Sequence, residues 1–194
     1  MAHAYSPTIT ASELANRLGS QINGKVILTT GVSSSTLGSS FVHSIATASP
    51  SLLILAGRNA TKLEKVASTI SEANPQVQIR VLELDLSSLA AVRDSAAKIN
   101  AWIDVPHIDV LMNNAGVMAI DFKLSPEGVE SQFATNHLGH FLFANLIMDK
   151  ILAASEPRIV NVSSDGHRLS PMRWGDHNFE VSMNHACPLT ADSY

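Results

Sequence analysis

Short apolar runs alternate with amphipathic segments along most of this chain. Five runs of apolar and β-branched residues show little polar alternation, a pattern typical of strands buried on both faces of a parallel sheet. They predict strands over 26–29, 51–57, 77–84, 108–112 and 158–162. Between them, apolar residues recur at three- and four-residue spacing, which predicts helices over 38–48, 61–74, 88–102 and 126–154. Residues 165–193 have no clear period and are predicted to be loop.

This alternation predicts an α/β fold, a doubly wound parallel sheet of about five strands with helices on both faces. Ahead of the first strand, residues 1–24 would form an N-terminal extension with a short helix, capped by Thr10 or Ser12 and ended by Gly19. Residues 25–194 show neither internal repeats nor a linker, so we expect them to form one domain.

The composition is that of an ordinary globular protein. Of the 194 residues, 45% are hydrophobic and 15% are charged, which is enough apolar material for a sizeable core. The net charge of −4 gives no reason to expect nucleic-acid binding. The single cysteine, Cys187, excludes an intramolecular disulfide framework and a multi-cysteine metal site.

The hydropathy pattern argues against targeting to a membrane or for secretion. The first ten residues lack a basic region followed by an apolar core, so they do not resemble a secretory signal. The most apolar part of the predicted helices, over 138–154, carries Asn145, Asp149 and Lys150, which argues against a membrane span. We therefore expect a cytoplasmic enzyme or binding domain.

The segment 25–38, KVILTTGVSSSTLG, reads as strand, small-residue turn and helix. Gly31 can turn sharply and lets backbone approach a phosphate without an intervening Cβ. The following helix would aim free N–H groups and partial positive charge at the same point. The segment therefore predicts a site for a dinucleotide pyrophosphate. It matches the fingerprint G-x-G-x-x-G poorly, so an ordinary strand–helix turn is the alternative.

Charged side chains follow the second and third predicted strands. Arg58 stands where an acidic residue would bind the ribose hydroxyls of NAD, and a cation there would instead pair with the 2′-phosphate of NADP. Lys62, one turn into the next helix, could add a second cation. The alternatives are a surface arginine and a solvated lysine. Asp85 could accept a hydrogen bond from an adenine amino group or simply cap the helix that begins near residue 88.

Two further groups carry candidate chemistry. The amides and small residues of 113–116, NNAG, could bind neighbouring backbone and leave room for a flat ligand. Asn136 lies among apolar residues in a predicted helix, where asparagine is a mediocre helix former, so a buried, hydrogen-bonding role is indicated. His137 and His140 are three residues apart, but no carboxylate or cysteine is spaced to complete a metal site, which favours packing and no metal.

Together these segments resemble the short-chain dehydrogenase/reductase family. The resemblance rests on six motifs in their expected order: TTGVSSSTLG at 29–38, LAGRN at 55–59, LDL at 84–86, NNAG at 113–116, NHLGHFLF at 136–143 and RIVNVSS at 158–164. The amino-acid sequence of these motifs is most similar to that of the retinol-dehydrogenase-like branch, especially fungal reductases of secondary metabolism. The resemblance implies a Rossmann fold and NADP(H)-dependent chemistry on an alcohol or carbonyl of a small organic substrate.

The resemblance also implies roles for individual residues. Those assigned to the cofactor are Gly31, Leu37 and Gly38 at the pyrophosphate, Arg58 and Lys62 at the 2′-phosphate, Asp85 at the adenine, and Asn114, Ala115 and Gly116 at the adenosine ribose. Asn136 would hold a helix open for a proton-relay water, and Ser164 would bind the substrate oxygen. Tyr194, rather than Tyr5, would be the catalytic tyrosine of Tyr-x-x-x-Lys.

Two departures from the family pattern qualify this reading. Ser35 and Thr36 stand where relatives usually have glycines, which could weaken cofactor binding. The lysine expected four residues beyond Tyr194 lies past the last residue, so we expect a domain truncated at its catalytic tyrosine. The alternative is a catalytically impaired nucleotide-binding remnant, whereas NNAG and the short length disfavour a sugar-nucleotide epimerase. A complete C-terminus would add the family's four-helix interface and imply a homo-oligomer.

Overall fold

A computed structural model describes Ser6 and residues 8–168 and 171–180. Five parallel strands form one sheet in the order β3-β2-β1-β4-β5. The strands are β1 (Val26–Thr30), β2 (Leu52–Gly57), β3 (Gln78–Glu83), β4 (Val110–Asn113) and β5 (Arg158–Asn161). The predicted α/β architecture and its five strands are therefore confirmed.

Helices connect the strands. They are α1 (Ala11–Arg17), α2 (Gly19–Ile22), α3 (Leu37–Ala46), α4 (Ala60–Ala73), α5 (Leu89–Asn100), α6 (Ser131–Phe133), α7 (His140–Leu146) and α8 (Met148–Leu152). Between α6 and α7 the helix is wound more loosely, as a π segment over Ala134–Gly139, and a single 3₁₀ turn follows β5 at Asp165–Arg168. Within the described ranges, no helix is long and apolar enough to cross a membrane.

The core lies in two layers because successive strand residues point to opposite faces of the sheet. On one face, Val26 and Leu28 pack in a cluster that includes α5 and α7 residues such as Val92 and Phe143. On the other face, Ile27 packs in a cluster that includes residues of α3 and α4. All five residues of β1 are buried, which explains why this strand shows no polar alternation.

The N-terminal extension differs from expectation at its end. Thr10 caps α1 through a capping box, because its hydroxyl accepts from the Glu13 N–H and the Glu13 carboxylate accepts from the Thr10 N–H. Gly19 was predicted to end this helix, but it begins the short helix α2 instead. The chain therefore turns at Leu18, which has non-helical backbone angles and belongs to neither helix.

The predicted helix over 126–154 is wrong at its start and in its continuity. Pro126 lies in a turn closed by a hydrogen bond from the Gly128 N–H to the Ser125 carbonyl, with Gly128 at φ +76°. The helix begins only at α6, where the carboxylate of Glu130 accepts the N–H groups of the first turn. It is interrupted again at Ile147, between α7 and α8.

The buried carboxylate of Asp109 joins the first residues of β1 and β4 at the edge opposite the strand carboxyl ends. It accepts from the Val26 N–H at 2.9 Å and from Lys25 Nζ at 3.0 Å, and His107 lies 3.3 Å away. Burial alone would raise the pKa of Asp109, but the Val26 N–H and the Lys25 ammonium outweigh it and lower the pKa. The ionised carboxylate therefore stabilises the folded state.

We expect Asp109→Asn to reduce the free energy of unfolding by about 2 kcal/mol at pH 7, because one charge-assisted bond is lost. A lowered folded-state pKa adds stability above the unfolded value of about 4, and this stability is lost as the pH falls below it. Urea unfolding at pH 7 and pH 3 measures both effects. The gap between wild type and variant should shrink at pH 3, and a constant gap would contradict the prediction. Asp104→Asn, which removes an exposed ion pair with Arg80, is the matched control and should change little.

Candidate functional site

The carboxyl ends of the strands open onto two adjoining cavities of about 410 and 970 Å³. The chain reverses its direction of winding at β1, which lies between β2 and β4, so this edge is where open α/β sheets bind ligands. The two cavities share one wall, formed by Leu37, Asn114, Ala115, Gly116 and Val117. A single elongated ligand could therefore span both.

The loop between β1 and α3 passes unusually close to the end of β4. Gly31 has φ +74°, and a Cβ built there would lie 2.6 Å from Ala115 Cα. A Cβ on Gly38 would lie 2.7 Å from both Asn114 Nδ2 and the Gly31 carbonyl oxygen. Neither position has room for a side chain. Both glycines are required by the structure, as their predicted place at the pyrophosphate would demand.

Ser35 and Thr36 occupy the loop just before α3. Ser35 has φ +63°, a backbone conformation that favours glycine and costs a serine roughly 1 kcal/mol. Thr36 is the N-cap of α3, since its hydroxyl accepts from the Ser39 N–H at 3.2 Å and donates to the Ser33 carbonyl at 2.7 Å. The threonine thus takes up one N–H group of the helix terminus.

Two cations line the smaller cavity at the end of β2. Arg58 follows Gly57 directly, and Lys62 lies in the first turn of α4, whose N-cap is Asn59. The Asn59 side chain accepts from the Lys62 N–H at 2.9 Å and so fixes where the helix begins. Among the described residues that line this cavity, none is acidic. The smaller cavity therefore carries a positive charge.

Asp85 has a local partner. One oxygen of its carboxylate accepts from the Ser87 N–H at 3.0 Å and from the Ser87 hydroxyl at 2.7 Å, just before α5. Ser88 is the N-cap of α5, and Leu84 and Leu86, on either side of Asp85, line the smaller cavity. Asp85 thus shapes the turn beside the cavity, and its contact with an adenine stays a prediction.

The NNAG segment is fastened to the end of β1 by Thr30. The Thr30 hydroxyl accepts from the backbone N–H groups of Asn114 and Ala115, each at 3.0 Å. The Asn114 side chain donates to the Thr30 carbonyl at 2.9 Å. These bonds hold Asn114, Ala115 and Gly116 on the wall between the two cavities.

Asn136 connects the π segment to the segment that follows β4. Its side chain exchanges two hydrogen bonds with the backbone of Val117, donating to the carbonyl and accepting from the N–H, both at 2.8 Å. Gly139, in the same π segment, packs so closely against the Leu86 carbonyl that a Cβ there would clash with its oxygen. The two bonds to Val117 hold Asn136 at the larger cavity, and because the residue is exposed there, its predicted burial is wrong.

Ser164 lies on the far side of the larger cavity, just after β5. Its hydroxyl oxygen accepts from the Gly166 N–H at 3.2 Å, and its side chain is exposed. The same cavity is lined by Leu37, Met118 and Phe141, among other apolar residues. Tyr194 and Cys187 lie outside the described residues, so the catalytic role of Tyr194 stays a prediction.

The two histidines of the NHLGH motif have separate partners. His137 stacks on Phe133 and Phe141, with ring centroids 5.5 and 6.3 Å away. His140 is buried, and its ring nitrogens lie within hydrogen-bond distance of Thr30 and of the Asn136 carbonyl. In the part of the chain that the structure describes, no three His, Cys, Asp or Glu side chains come together as metal ligands.

A family model described as short chain dehydrogenase matches residues 25–174. This chain belongs to the short-chain dehydrogenase family. It is 36% identical to oxidoreductase fscI of Fusarium equiseti over 180 residues, which are 90% of this chain and 69% of fscI. It is also 36% identical to human retinol dehydrogenase 13 over 160 residues, which are 82% of this chain and 47% of that relative.

Several solved structures share the fold. A protein from Mycobacterium paratuberculosis matches with a TM-score of 0.67 and 33% identity, over 84% of this chain and 55% of that chain. A short chain dehydrogenase of Escherichia coli CFT073, solved with NADPH, matches with a TM-score of 0.64 and 25% identity, over 82% of this chain and 67% of that chain. The chain thus spans between 47% and 69% of the length of these four proteins. The family is one of oxidoreductases that use nicotinamide cofactors.

The short-chain dehydrogenase site contains a pair of side chains that the sequence patterns do not identify. Thr30 lies just beyond the predicted strand 26–29, and the spacing of His140 favours only packing, yet the two side chains lie 3.0 Å apart. The Thr30 hydroxyl, at the end of a buried strand, could have indicated such a pair, because a buried polar group needs hydrogen-bond partners. Those partners come from β4 and α7, so sequence spacing could not identify them.

Proposed function

We propose that this protein is an NADP(H)-dependent oxidoreductase that converts between an alcohol and a carbonyl group of a small organic substrate. The observation that carries the choice of NADP(H) over NAD(H) is the positive charge at the end of β2. Arg58 and Lys62 both line the smaller cavity, and no acidic residue does so among those described. A 2′-phosphate would find two cations there, whereas ribose hydroxyls would find no carboxylate acceptor.

The residues present fit such a cofactor. Gly31 and Gly38 leave a cradle that any Cβ would fill, and α3 begins at Leu37, beside that cradle, with backbone N–H groups pointing toward its N-terminus. Two solved relatives of about this likeness hold NADPH and NADP: the Escherichia coli dehydrogenase and a metagenomic short-chain oxidoreductase, the latter 25% identical with a TM-score of 0.60. Gly31, Leu37 and Gly38 would border the pyrophosphate, and Asn114, Ala115 and Gly116 the adenosine ribose.

The larger cavity would hold the reacting groups. When bound, the nicotinamide would give or take a hydride at the carbon of the alcohol or carbonyl. Ser164 would donate a hydrogen bond to the substrate oxygen, and Tyr194 would transfer the proton. Asn136, held by Val117, would keep its carbonyl and the π segment in place for a relay water. Among the described residues, the lining of this cavity mixes apolar side chains with amides, serines and histidines and includes no Asp, Glu, Lys or Arg, which favours a substrate without charge.

Arg58→Ala tests the cofactor assignment. We expect the Kd for NADPH to rise roughly 10- to 100-fold, because a charge-assisted hydrogen bond to the phosphate is lost. The Kd for NADH, which has no 2′-phosphate, should stay nearly unchanged. Both constants can be measured by titration with the change in nucleotide fluorescence. Lys62→Ala should act in the same direction with a smaller effect, because the amine is farther along the helix.

Lys65→Ala is the matched control for these two variants. Lys65 is an exposed lysine of the same helix, α4, that does not line the cavity, so the substitution removes an equal charge elsewhere on the helix. It should leave the Kd for NADPH almost unchanged. Equal losses of NADPH and NADH affinity in Arg58→Ala would contradict the 2′-phosphate role, as would an effect of Lys65→Ala equal to that of Arg58→Ala.

A catalytically impaired nucleotide-binding protein is the second candidate. Ser35 is held at φ +63°, and Thr36 occupies one N–H group of α3, so both residues favour a weaker hold on phosphate than glycines would give. Oxidation of NADPH that depends on an added ketone would exclude this candidate. Binding of NADPH without such turnover in a C-terminally complete form would support it.

A cytoplasmic location and a role in fungal secondary metabolism remain parts of this proposal. The relatives differ in location, since two matching short-chain dehydrogenases of Brassica napus are named as chloroplastic. A homo-oligomer built on the helices after β4 remains a proposal as well. Fractionation of the source organism and the mass of the purified protein in solution would test location and assembly.

A further inference from the structure

The hydroxyl of Thr30 sits at the centre of a buried hydrogen-bond network. Three nitrogens lie 3.0 Å from its Oγ1: the backbone nitrogens of Asn114 and Ala115, and Nε2 of His140. Nδ1 of the same imidazole lies 3.2 Å from the Asn136 carbonyl oxygen. The side chains of Thr30 and His140 are both buried, so water does not substitute freely for any of these partners.

The number of protons in this network fixes the form of the imidazole. A hydroxyl has one proton and two lone pairs. The two backbone N–H groups occupy both lone pairs of Thr30, so its own proton must be donated to His140 Nε2. That nitrogen therefore carries no hydrogen. A neutral imidazole carries its hydrogen on the other nitrogen, and Nδ1–H then donates to the Asn136 carbonyl.

We propose that His140 is a positioning residue that, as the neutral Nδ1–H tautomer, joins the cofactor-binding NNAG loop to the π segment that carries Asn136. By accepting the Thr30 proton, it leaves both Thr30 lone pairs for Asn114 and Ala115. By donating to Asn136, it orients the carbonyl of the residue assigned to the proton relay. The consequences for cofactor binding rest on the proposed function, whereas the tautomer does not.

Protonation of His140 would break this arrangement. A hydrogen on Nε2 would face Thr30 Oγ1, which already accepts two bonds, and the Thr30 proton would lose its acceptor. Burial lowers the pKa of His140 below its ordinary value, and this effect and that of His137 exceed the opposing effect of the Asn136 carbonyl. The other titratable group lining this cavity is His167, and the ionisable residues of the packed helix α5 (Arg93, Asp94 and Lys98) are exposed.

Long-range ¹⁵N–¹H correlation spectra of the full protein without nucleotide test the tautomer directly. We expect His140 to show a protonated Nδ1 and an unprotonated Nε2, and to stay neutral at pH 6. The signal is assigned by its loss in His140→Gln. A protonated Nε2 at neutral pH, or titration with an ordinary histidine pKa, would overturn the proposal even if NADPH binds tightly.

Variants test whether the network acts as a unit. Thr30→Val keeps the shape and removes the hydroxyl, and His140→Leu removes the ring; each should raise the Kd for NADPH about tenfold. The double variant should be little weaker than either single variant, because both remove one network. A 100-fold loss in the double variant would overturn the coupling. Thr30→Ser, which retains the hydroxyl, should restore wild-type binding.

The spectra and the binding measurements together distinguish a failure of this proposal from a failure of the proposed function. If wild-type protein shows no NADPH binding, the proposed function fails, while the ¹⁵N spectra still decide the state of His140. If the spectra show the expected tautomer but His140→Leu is unfolded by circular dichroism, His140→Gln serves in its place. The glutamine can still accept from Thr30, so its Kd for NADPH should stay closer to the wild-type value than that of Thr30→Val, and a larger loss than in Thr30→Val would overturn the coupling.

Discussion

Ser164→Ala is expected to lower kcat about 100- to 1,000-fold in a C-terminally complete form of the protein, since one donor to the oxygen that gains charge is removed. The hydroxyl lies on the larger cavity and accepts a hydrogen bond from the Gly166 N–H. Among the described residues, no side chain or carbonyl takes up its own proton, which could therefore be donated to a substrate. Affinity for NADPH should remain, because Ser164 does not line the smaller cavity.

Ser163→Ala is the matched control for this prediction. The neighbouring serine also lines the larger cavity, but the resemblance assigns no role to it. Steady-state kinetics with a ketone substrate should show little change for Ser163→Ala and a large fall in kcat for Ser164→Ala. Equal activity of the two variants, or an unchanged kcat in Ser164→Ala, would remove Ser164 from the proposed mechanism.

Gly31→Ala is expected to reduce the free energy of unfolding by about 3 kcal/mol, through backbone strain at positive φ and forced displacement of packed backbone. The added Cβ would lie 2.6 Å from Ala115 Cα, so the loop after β1 and the NNAG segment must move apart. In a domain of this size that free energy corresponds to a fall in Tm of roughly 6–12 °C. Affinity for NADPH should fall with it, because the same backbone borders the proposed pyrophosphate site.

Gly24→Ala separates the two causes. Gly24 has the same φ of +74°, but a Cβ there meets nothing within 4 Å. Gly24→Ala should reduce the free energy of unfolding only by the backbone strain, about 1–2 kcal/mol, and should leave the Kd for NADPH unchanged. Thermal unfolding followed by circular dichroism measures both variants. Equal destabilisation in the two would show that close approach to Ala115 contributes nothing.

The sequence predicted the central strands well because burial on both faces leaves a direct record in composition. The prediction of burial on both faces is wrong for β5, whose four residues are all exposed, and for most of β3. All of β1 and most of β2 are buried, and an unbroken apolar run is the only pattern that satisfies such a position. Helix α4 begins at Ala60, one residue before the predicted start at 61, because Asn59 caps it. The difference is small because the position of an N-cap depends on residues that are close in sequence.

The helix after β4 shows where local patterns fail. Apolar spacing continues through 126–154, but Gly128 at φ +76° and the buried cap Glu130 delay the start, and Asn178 from a distant segment accepts from the Glu130 N–H. The loosened π segment at Asn136 has no signal in hydrophobic spacing. It is associated with contacts made elsewhere, to Val117 and Leu86.

The sequence by itself determined the α/β class, the strand order along the chain and the strand ends at which Gly31, Arg58 and Asn114 stand. These depend on burial and turn chemistry, which are properties of neighbouring residues. Only the tertiary structure decided which side chains share protons. Thr30 and His140 are 110 residues apart, and their 3.0 Å contact exists because β1 and α7 pack together. A tautomer set by counting donors and acceptors requires every partner in space, and sequence spacing does not supply them.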